Sequence, residues 1–500
     1  MAFVRVEPSE PQYEADDLLP RSAATMPSPV TVTDLDRPAP RPDPRIEAER
    51  VASALGEVIG SQPRGVSRRG FLQGVGAAST VALSGGYLLK IAAPERVDAL
   101  AGGAGYPVLP PGSLGPFAAN RTLVVLELSG GNDSLSMVVP YASNAYKTAR
   151  VDVAIKPSPA TTLDSTIGLH PALTRLAGHY KAGRAAIVHG VGYAKPDLSH
   201  FDSLATWWSG RPNELGNSGW LGRVLDGTTG LTDPLTGVTI GNASQAMIGD
   251  AAYSTTIADA LGLDPAFPWP LERDTASFLS AWRAMAAGAT ASNTTHQMVL
   301  DGIEAAVDVR GRLDVALQGA RAGGTSPSSL VNQLVVAAHL IASGAAPKVI
   351  YVNNFAGFDT HSQQINRLAP LYTDLDQAID AFLTTLSALG ASDRALLMTA
   401  SEFGRRVPVD GGGTDHGTVA SHFVIGTGIA GAKRYGTIDP LTTLDSNGNM
   451  IFDPARCIDY RAYFANGLTQ WLGIDAAPVF QSSTAPFVPQ PLGLVKVPAV

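Results

Sequence analysis

Short unbroken apolar runs separated by helix-period stripes constrain this chain more than any other feature. Residues 122–128, 185–189, 348–352, 395–399 and 423–425 read as buried strands, too short and too β-branched for helices. Between them, Val331, Leu334, Val335, Ala338 and Ile341 form one apolar stripe, and Leu371, Leu375, Ile379, Phe382 and Leu386 another. Continuous strands alternating with amphipathic helices predict an α/β fold: a mostly parallel sheet sandwiched by helices. Ligands of such sheets bind beyond the carboxyl ends of the strands. That rule points to the loops 129–134, 353–361 and 400–406, and less directly to 411–417.

Composition narrows the class. The chain has 500 residues, 45% hydrophobic and 16% charged, with a formal net charge of -8. Its length allows two or three domains, or one large α/β domain with insertions. No basic run clusters as a nucleic-acid face requires, so no nucleic-acid partner is expected. Cys457 is the only cysteine, which excludes an intramolecular disulfide and a Cys-based zinc knuckle.

The first 66 residues are acidic and contain ten prolines without an apolar period. They read as a disordered n-region, with Met26 offering a later start. Ser67-Arg68-Arg69-Gly70-Phe71-Leu72 follows. An uncharged but glycine-diluted stretch runs over 72–89, then Lys90 and Ala99-Leu100-Ala101. This is the pattern of a twin-arginine signal peptide over 67–101, too poor in Leu, Ile and Val for a stable membrane span. It predicts engagement of the twin-arginine export machinery and a location in the periplasm, cell wall or medium. The functional protein then begins near Gly102, residues 1–101 contribute nothing to a site, and 476–500 form a C-terminal tail. The absence of disulfides suits a route that exports folded proteins.

The strand-end loops hold Asp359 and His361, Glu402 and Arg405, and Asp415 and His416. Carboxylates and imidazoles on rigid strand ends are what zinc or another divalent metal needs. Arg405 suits bidentate binding of an anionic group, or a structural pair with Glu402. The Gly411–Gly413 run reads as a hairpin or loop, because no helix with a lysine follows it. No phosphate-binding loop, dinucleotide fingerprint or Gly-x-Ser-x-Gly elbow is present.

Five segments carry a family resemblance: Leu-Ser-Gly-Gly-Asn-Asp at 128–133, Ser199-His200-Phe201-Asp202, Phe358-Asp359-Thr360-His361, Ser401-Glu402-Phe403-Gly404-Arg405 and Thr414-Asp415-His416-Gly417. Over residues 120–475 the chain resembles a domain-of-unknown-function family of twin-arginine-exported proteins in the alkaline-phosphatase-like superfamily. The resemblance implies a metal pair, usually zinc, and a hydroxyl nucleophile hydrolysing phosphate or sulfate esters. Asp359 and His361 resemble the aspartate and histidine of one metal, and His416 its late histidine. Glu402 stands where the superfamily has an Asp-His pair, but Phe403 follows it. The first-strand aspartate is Ser129 here, with Asn132 or Asp133 as substitutes from the same loop. Ser203 is the candidate nucleophile, and His200 and Asp202 are candidate ligands or acid–base groups. The competing reading of that segment is a helix start capped by Asp197 or Ser199, with Trp207 and Trp208 packed inward. With two ligands of the second metal lost, the expectation is one metal, an altered site or none. Asp359, His361 and His416 alone meet the three-ligand count of a catalytic zinc. Two functions stand open: a metal-dependent hydrolase of anionic esters, and a non-catalytic exported protein that keeps the fold as a binding or assembly partner.

Overall fold

The computed structural model describes residues 109–212, 218–228, 233–249, 254–258, 308–309, 311–438, 441–482 and 485–496, a few single residues, and the backbone of 80–83 and 87–90. The expected n-region and the paired arginines lie outside the described residues.

Among the described residues the strands are β1 (Thr80–Leu83), β2 (Tyr87–Lys90), β3 (Thr122–Ser129), β4 (Val138–Val139), β5 (Gly168–Leu169), β6 (Ala185–Gly192), β7 (Gly237–Ile240), β8 (Ser254–Ile257), β9 (Val349–Ala356), β10 (Ala395–Ala400), β11 (Gly404–Arg405), β12 (His416–Gly417), β13 (Ala420–Ile425), β14 (Arg434–Tyr435) and β15 (Ile458–Asp459). One sheet runs β1-β2-β8-β7-β9-β3-β10-β13-β6-β14, with β15 also on β6. From β8 to β10 every pairing is parallel, whereas β13 runs against both neighbours. The expected mostly parallel sheet is therefore present, with one reversed strand near its centre. The hairpin β1–β2 extends the far edge beyond β8, away from the central strands whose ends carry the candidate ligands.

Strand periodicity places one half of β3 on each face. Val124, Leu126 and Leu128 join the core under the helices α2 (Thr174–Lys181), α5 (Ser329–Ala342) and α6 (Gln364–Ala388). Leu123 and Val125 join the opposite core under α3 (His200–Ser209), α4 (Trp220–Asp226) and α7 (Tyr460–Asn466), rich in Trp207, Trp220, Tyr460, Phe464 and Trp471. Helix α6 buries Leu375, Ile379, Phe382 and Leu386 as its period requires. Helix α5 departs from its stripe: Leu330, Val336, Ala337 and Leu340 are buried while Val331 and Val335 are only partly so, because sheet and α6 cover it from two sides.

Two expected boundaries shift. β9 runs on through Asn353, Asn354 and Phe355 to Ala356, so the ligand-bearing loop is shorter than 353–361. The C-terminal stretch does not stand apart: Val479, Phe480, Phe487 and Leu494 are buried in the α7-side core. No helix among the described residues is long and apolar enough to cross a membrane.

Candidate metal centre

The centre forms where the ends of β3, β9 and β10 meet the β11–β12 ribbon and the start of α3. Close backbone approach makes it possible. Gly130, just past β3, has φ +114, and a Cβ there would lie 2.6 Å from the amide nitrogen of Asp359. Gly131 faces the Phe403 ring in the same way, at 2.2 Å. The two glycines let the β9 and β10 loops close over the end of β3.

Three donor atoms converge there. His361 Nε2 lies 2.9 Å from Asp359 Oδ1, His416 Nε2 lies 3.3 Å from the same oxygen, and the two Nε2 atoms are 3.1 Å apart. Ligands bound tetrahedrally at about 2.0–2.1 Å stand roughly 3.3 Å from one another, so the triangle has the dimensions of one face of a zinc tetrahedron. His416 Nδ1 is held by the Leu198 carbonyl at 2.7 Å, which aims Nε2 inward. Burial, aided by the Arg405 and His200 charges, lowers the His416 pKa and favours the neutral imidazole that a metal requires. Burial alone would raise the Asp359 carboxyl; the hydrogen bond and charge of Arg405, with the His361 and His200 charges, hold it at about 2. Asp415 reaches the rim, 3.8 Å from His361 Nδ1, and pairs with Arg406 at 2.9 Å.

His200 closes the fourth side. It opens α3, and its Nδ1 lies 2.8 Å from Glu402 Oε1, an oxygen that also accepts the Gly130 amide at 2.8 Å. Its Nε2 is buried without a hydrogen-bond partner and lies 3.5 Å from Asp359 Oδ2. An orphaned buried nitrogen aimed at a carboxylate–imidazole cluster is costly unless something occupies the space between them. The Glu402 hydrogen bond outweighs burial and raises the His200 pKa.

The other expected residues lie elsewhere or are spent. Arg405 is not a free anion binder. Its guanidinium donates to the carbonyls of Gly131 (2.7 Å), Thr414 (2.8 Å), Gly130 (2.5 Å) and Phe358 (3.2 Å) and to Asp359 Oδ1 (2.6 Å), and it pairs with Asp359 rather than Glu402. Glu402 sits behind His200 as its carboxylate partner, not in the ligand triangle. Asp133 is not brought to the cluster: it is fully buried against Arg150, Ser136 (2.6 Å) and Gln364 (2.7 Å). Asn132, its neighbour, accepts from Tyr372 at 2.9 Å. Ser203 is no exposed nucleophile, since it is wholly buried and its hydroxyl donates to the Asp197 carbonyl. Asp202 points to solvent from the first turn of α3. The helix-start reading of this segment holds in part. Asp197 accepts the Ser199 amide at 2.7 Å and Trp207 is buried, but Ser199 makes no side-chain cap. The Gly411–Gly413 run is a tight turn closed by reciprocal Asp410–Gly413 backbone bonds.

Sequence reading missed Glu127. It interrupts the apolar run of β3 and is 5% exposed, and the signal for it was a charged residue inside a strand expected to be buried on both faces.

A family model described as "Protein of unknown function (DUF1501)" matches residues 120–450. No curated protein matches the chain. Solved structures similar to it include an alkaline phosphatase from the Antarctic bacterium TAB5, at 13% identity and TM-score 0.27, covering 63% of this chain and 94% of that one. The lipoteichoic acid synthase LtaP from Listeria monocytogenes matches at 9% identity and TM-score 0.28, covering 64% and 67%. Ps i-CgsB matches at 7% identity and TM-score 0.29, covering 71% and 72%. At these scores the overlap is loose, and the chemistry rests on the residues themselves.

Proposed function

The chain belongs to the DUF1501 family of proteins of unknown function, and from that premise and its donor triangle we propose that it is an exported, metal-dependent hydrolase of phosphate or sulfate esters. The observation that carries this reading is the spacing of Asp359 Oδ1, His361 Nε2 and His416 Nε2, at 2.9, 3.1 and 3.3 Å. These three residues would hold one divalent cation, zinc first among them, leaving a fourth position open. The cation would supply charge for an anionic ester and acidify a bound oxygen. His200, oriented by Glu402, faces that open side as an acid–base group. Glu402 and Arg405 act as positioning residues, one for His200 and the other for Asp359. Asp133, Asp202 and Ser203 have no part in this scheme.

A second reading, a non-catalytic binding or assembly partner, is favoured by one observation: Arg405 and Ser203, the expected anion binder and nucleophile, are both consumed by internal hydrogen bonds. Metal analysis of natively purified protein separates the two. About one zinc or other divalent ion per chain, together with turnover of p-nitrophenyl phosphate or p-nitrophenyl sulfate that is lost in His416→Ala, is expected for the hydrolase. Less than one metal per chain and no turnover of either ester would leave the non-catalytic reading.

A further inference from the structure

Glu127 and Ser129 stand two residues apart on β3 and therefore face the same side of the sheet. Ser129 Oγ donates to Glu127 Oε1 at 2.5 Å. The other carboxylate oxygen accepts Trp208 Nε1 at 2.8 Å and the Tyr351 hydroxyl. All three donors are neutral. Ser129 is half-buried at the strand's open end, while Glu127 lies below it, closed in by Trp208 and Tyr351. A cavity of about 10 Å³, room for one water, is lined by Glu127, Glu402, Trp208, Tyr351 and Ser401 among others.

A hydroxyl within hydrogen-bond reach of a base, and a base fixed by further groups, is the geometry of an activated nucleophile. The position fits as well. Ser129 adjoins Gly130, whose amide shares Glu402 Oε1 with His200 and whose carbonyl shares Arg405 Nη2 with Asp359. The Ser129 carbonyl accepts the Phe358 amide at 3.4 Å, tying it to the loop that carries Asp359. Ser203, by contrast, is sealed within the start of α3.

We propose that Ser129 is the covalent nucleophile of this site and Glu127 its general base, which rests on the ester-hydrolase reading above. In the first step the Ser129 Oγ–H proton moves to Glu127 Oε1 while Oγ forms a bond to the ester phosphorus or sulfur. The bond from that atom to the leaving oxygen breaks, its electron pair stays on the leaving oxygen, and His200, the acid–base group, supplies that oxygen's proton. In the second step water attacks the same atom and gives its proton to His200. The Ser129 oxygen departs with its electron pair and takes back the proton held on Glu127. The sum is ester plus water giving alcohol plus phosphate or sulfate. Burial, reinforced by the Glu402 charge and opposed by the three hydrogen bonds, raises the Glu127 pKa and strengthens it as a proton acceptor.

The test uses diisopropyl fluorophosphate on the full chain, with the adduct located by peptide mass spectrometry. This probe phosphorylates an activated serine without ester turnover or a full complement of metal. Labelling at Ser129 is expected, absent in Ser129→Ala and slowed about 10²-fold or more in Glu127→Gln, the scale of a lost general base. No adduct on Ser129 in the wild-type chain, or labelling of Glu127→Gln at the wild-type rate, overturns the proposal. Should Glu127→Gln fail to fold, Tyr351→Phe replaces it; it removes one donor from the carboxylate, leaves the base in place, and is expected to label Ser129. Metal content of the same samples separates the two ideas. A labelled Ser129 with less than one metal per chain sinks the metal reading alone, and metal-dependent turnover with Ser129 unlabelled sinks the nucleophile alone.

Discussion

His200 and His416 approach the same carboxylate from different elements, yet their second ring nitrogens are held differently. A neutral carbonyl, that of Leu198, fixes His416 and leaves its Nε2 lone pair for a metal. A carboxylate, Glu402, fixes His200 and favours its protonated form. This difference predicts separable losses. His200→Gln should keep about one metal per chain while ester turnover falls roughly 10²–10⁴-fold, as for a lost acid–base group. His416→Ala should lose metal and turnover together. Metal analysis and p-nitrophenyl phosphate hydrolysis on the same samples check both, and a metal-free His200→Gln would make His200 a ligand instead.

At the scale of elements, the site depends on a buried ion pair that never touches it. Asp133 caps α1 (Ser134–Met137) and pairs with Arg150, which also donates to the Val407 carbonyl at 3.0 Å and the Arg406 carbonyl at 2.8 Å. That pair ties the loop after β3 to the loop after β11, so it fixes the relative position of Gly130 and Arg405. Arg150→Met leaves Asp133 buried without its cation and is expected to cost about 3–5 kcal/mol. Burial pushes the Asp133 carboxyl up, but the charge and hydrogen bond of Arg150, with Ser136 and the Arg405 charge, bring it below its ordinary value. Because the folded pKa is depressed, the stabilisation is complete above the unfolded value near about 3.9 and is lost as pH falls through the folded pKa. Denaturant melts from pH 6 down to pH 2 should show this acid loss in the wild type and a shallower one in Asp133→Asn; identical slopes would remove Asp133 from the acid response.

For the whole molecule, the strands described within the expected signal segment lie apart from the centre. The centre draws on β3, β9, β10, the β11–β12 ribbon and α3. Within 67–101, the described backbone strands sit on the far edge of the sheet. Replacing Arg68 and Arg69 with lysines is therefore expected to hold the protein inside the cell without changing its metal content. Fractionation and metal analysis check the two halves of that statement, and unimpaired export of the double variant would end the twin-arginine reading.

The sheet, its two helical faces and the loops that bear ligands were legible in the sequence, because period and β-branching act locally and strand ends are where polar side chains escape the core. That Asp359, His361 and His416 stand on loops at one end of the sheet was legible for the same reason. The roles of Arg405, Glu402, Asp133 and Ser203 were not. A charged or hydroxyl side chain near a strand end can face either the site or the interior, and only the packing around it decides. Gly130 lets the backbone of the Asp359 loop, and Gly131 the Phe403 ring, close over the end of β3, where Arg405 makes five internal hydrogen bonds, and α3 turns its first turn so that His200, not Ser203, faces the ligands. Glu127 lay in the sequence as an anomaly within a buried strand. Its partner Ser129 is local, but Trp208 and Tyr351, which fix its carboxylate, arrive from 81 and 224 residues away, a distance only the tertiary fold can close.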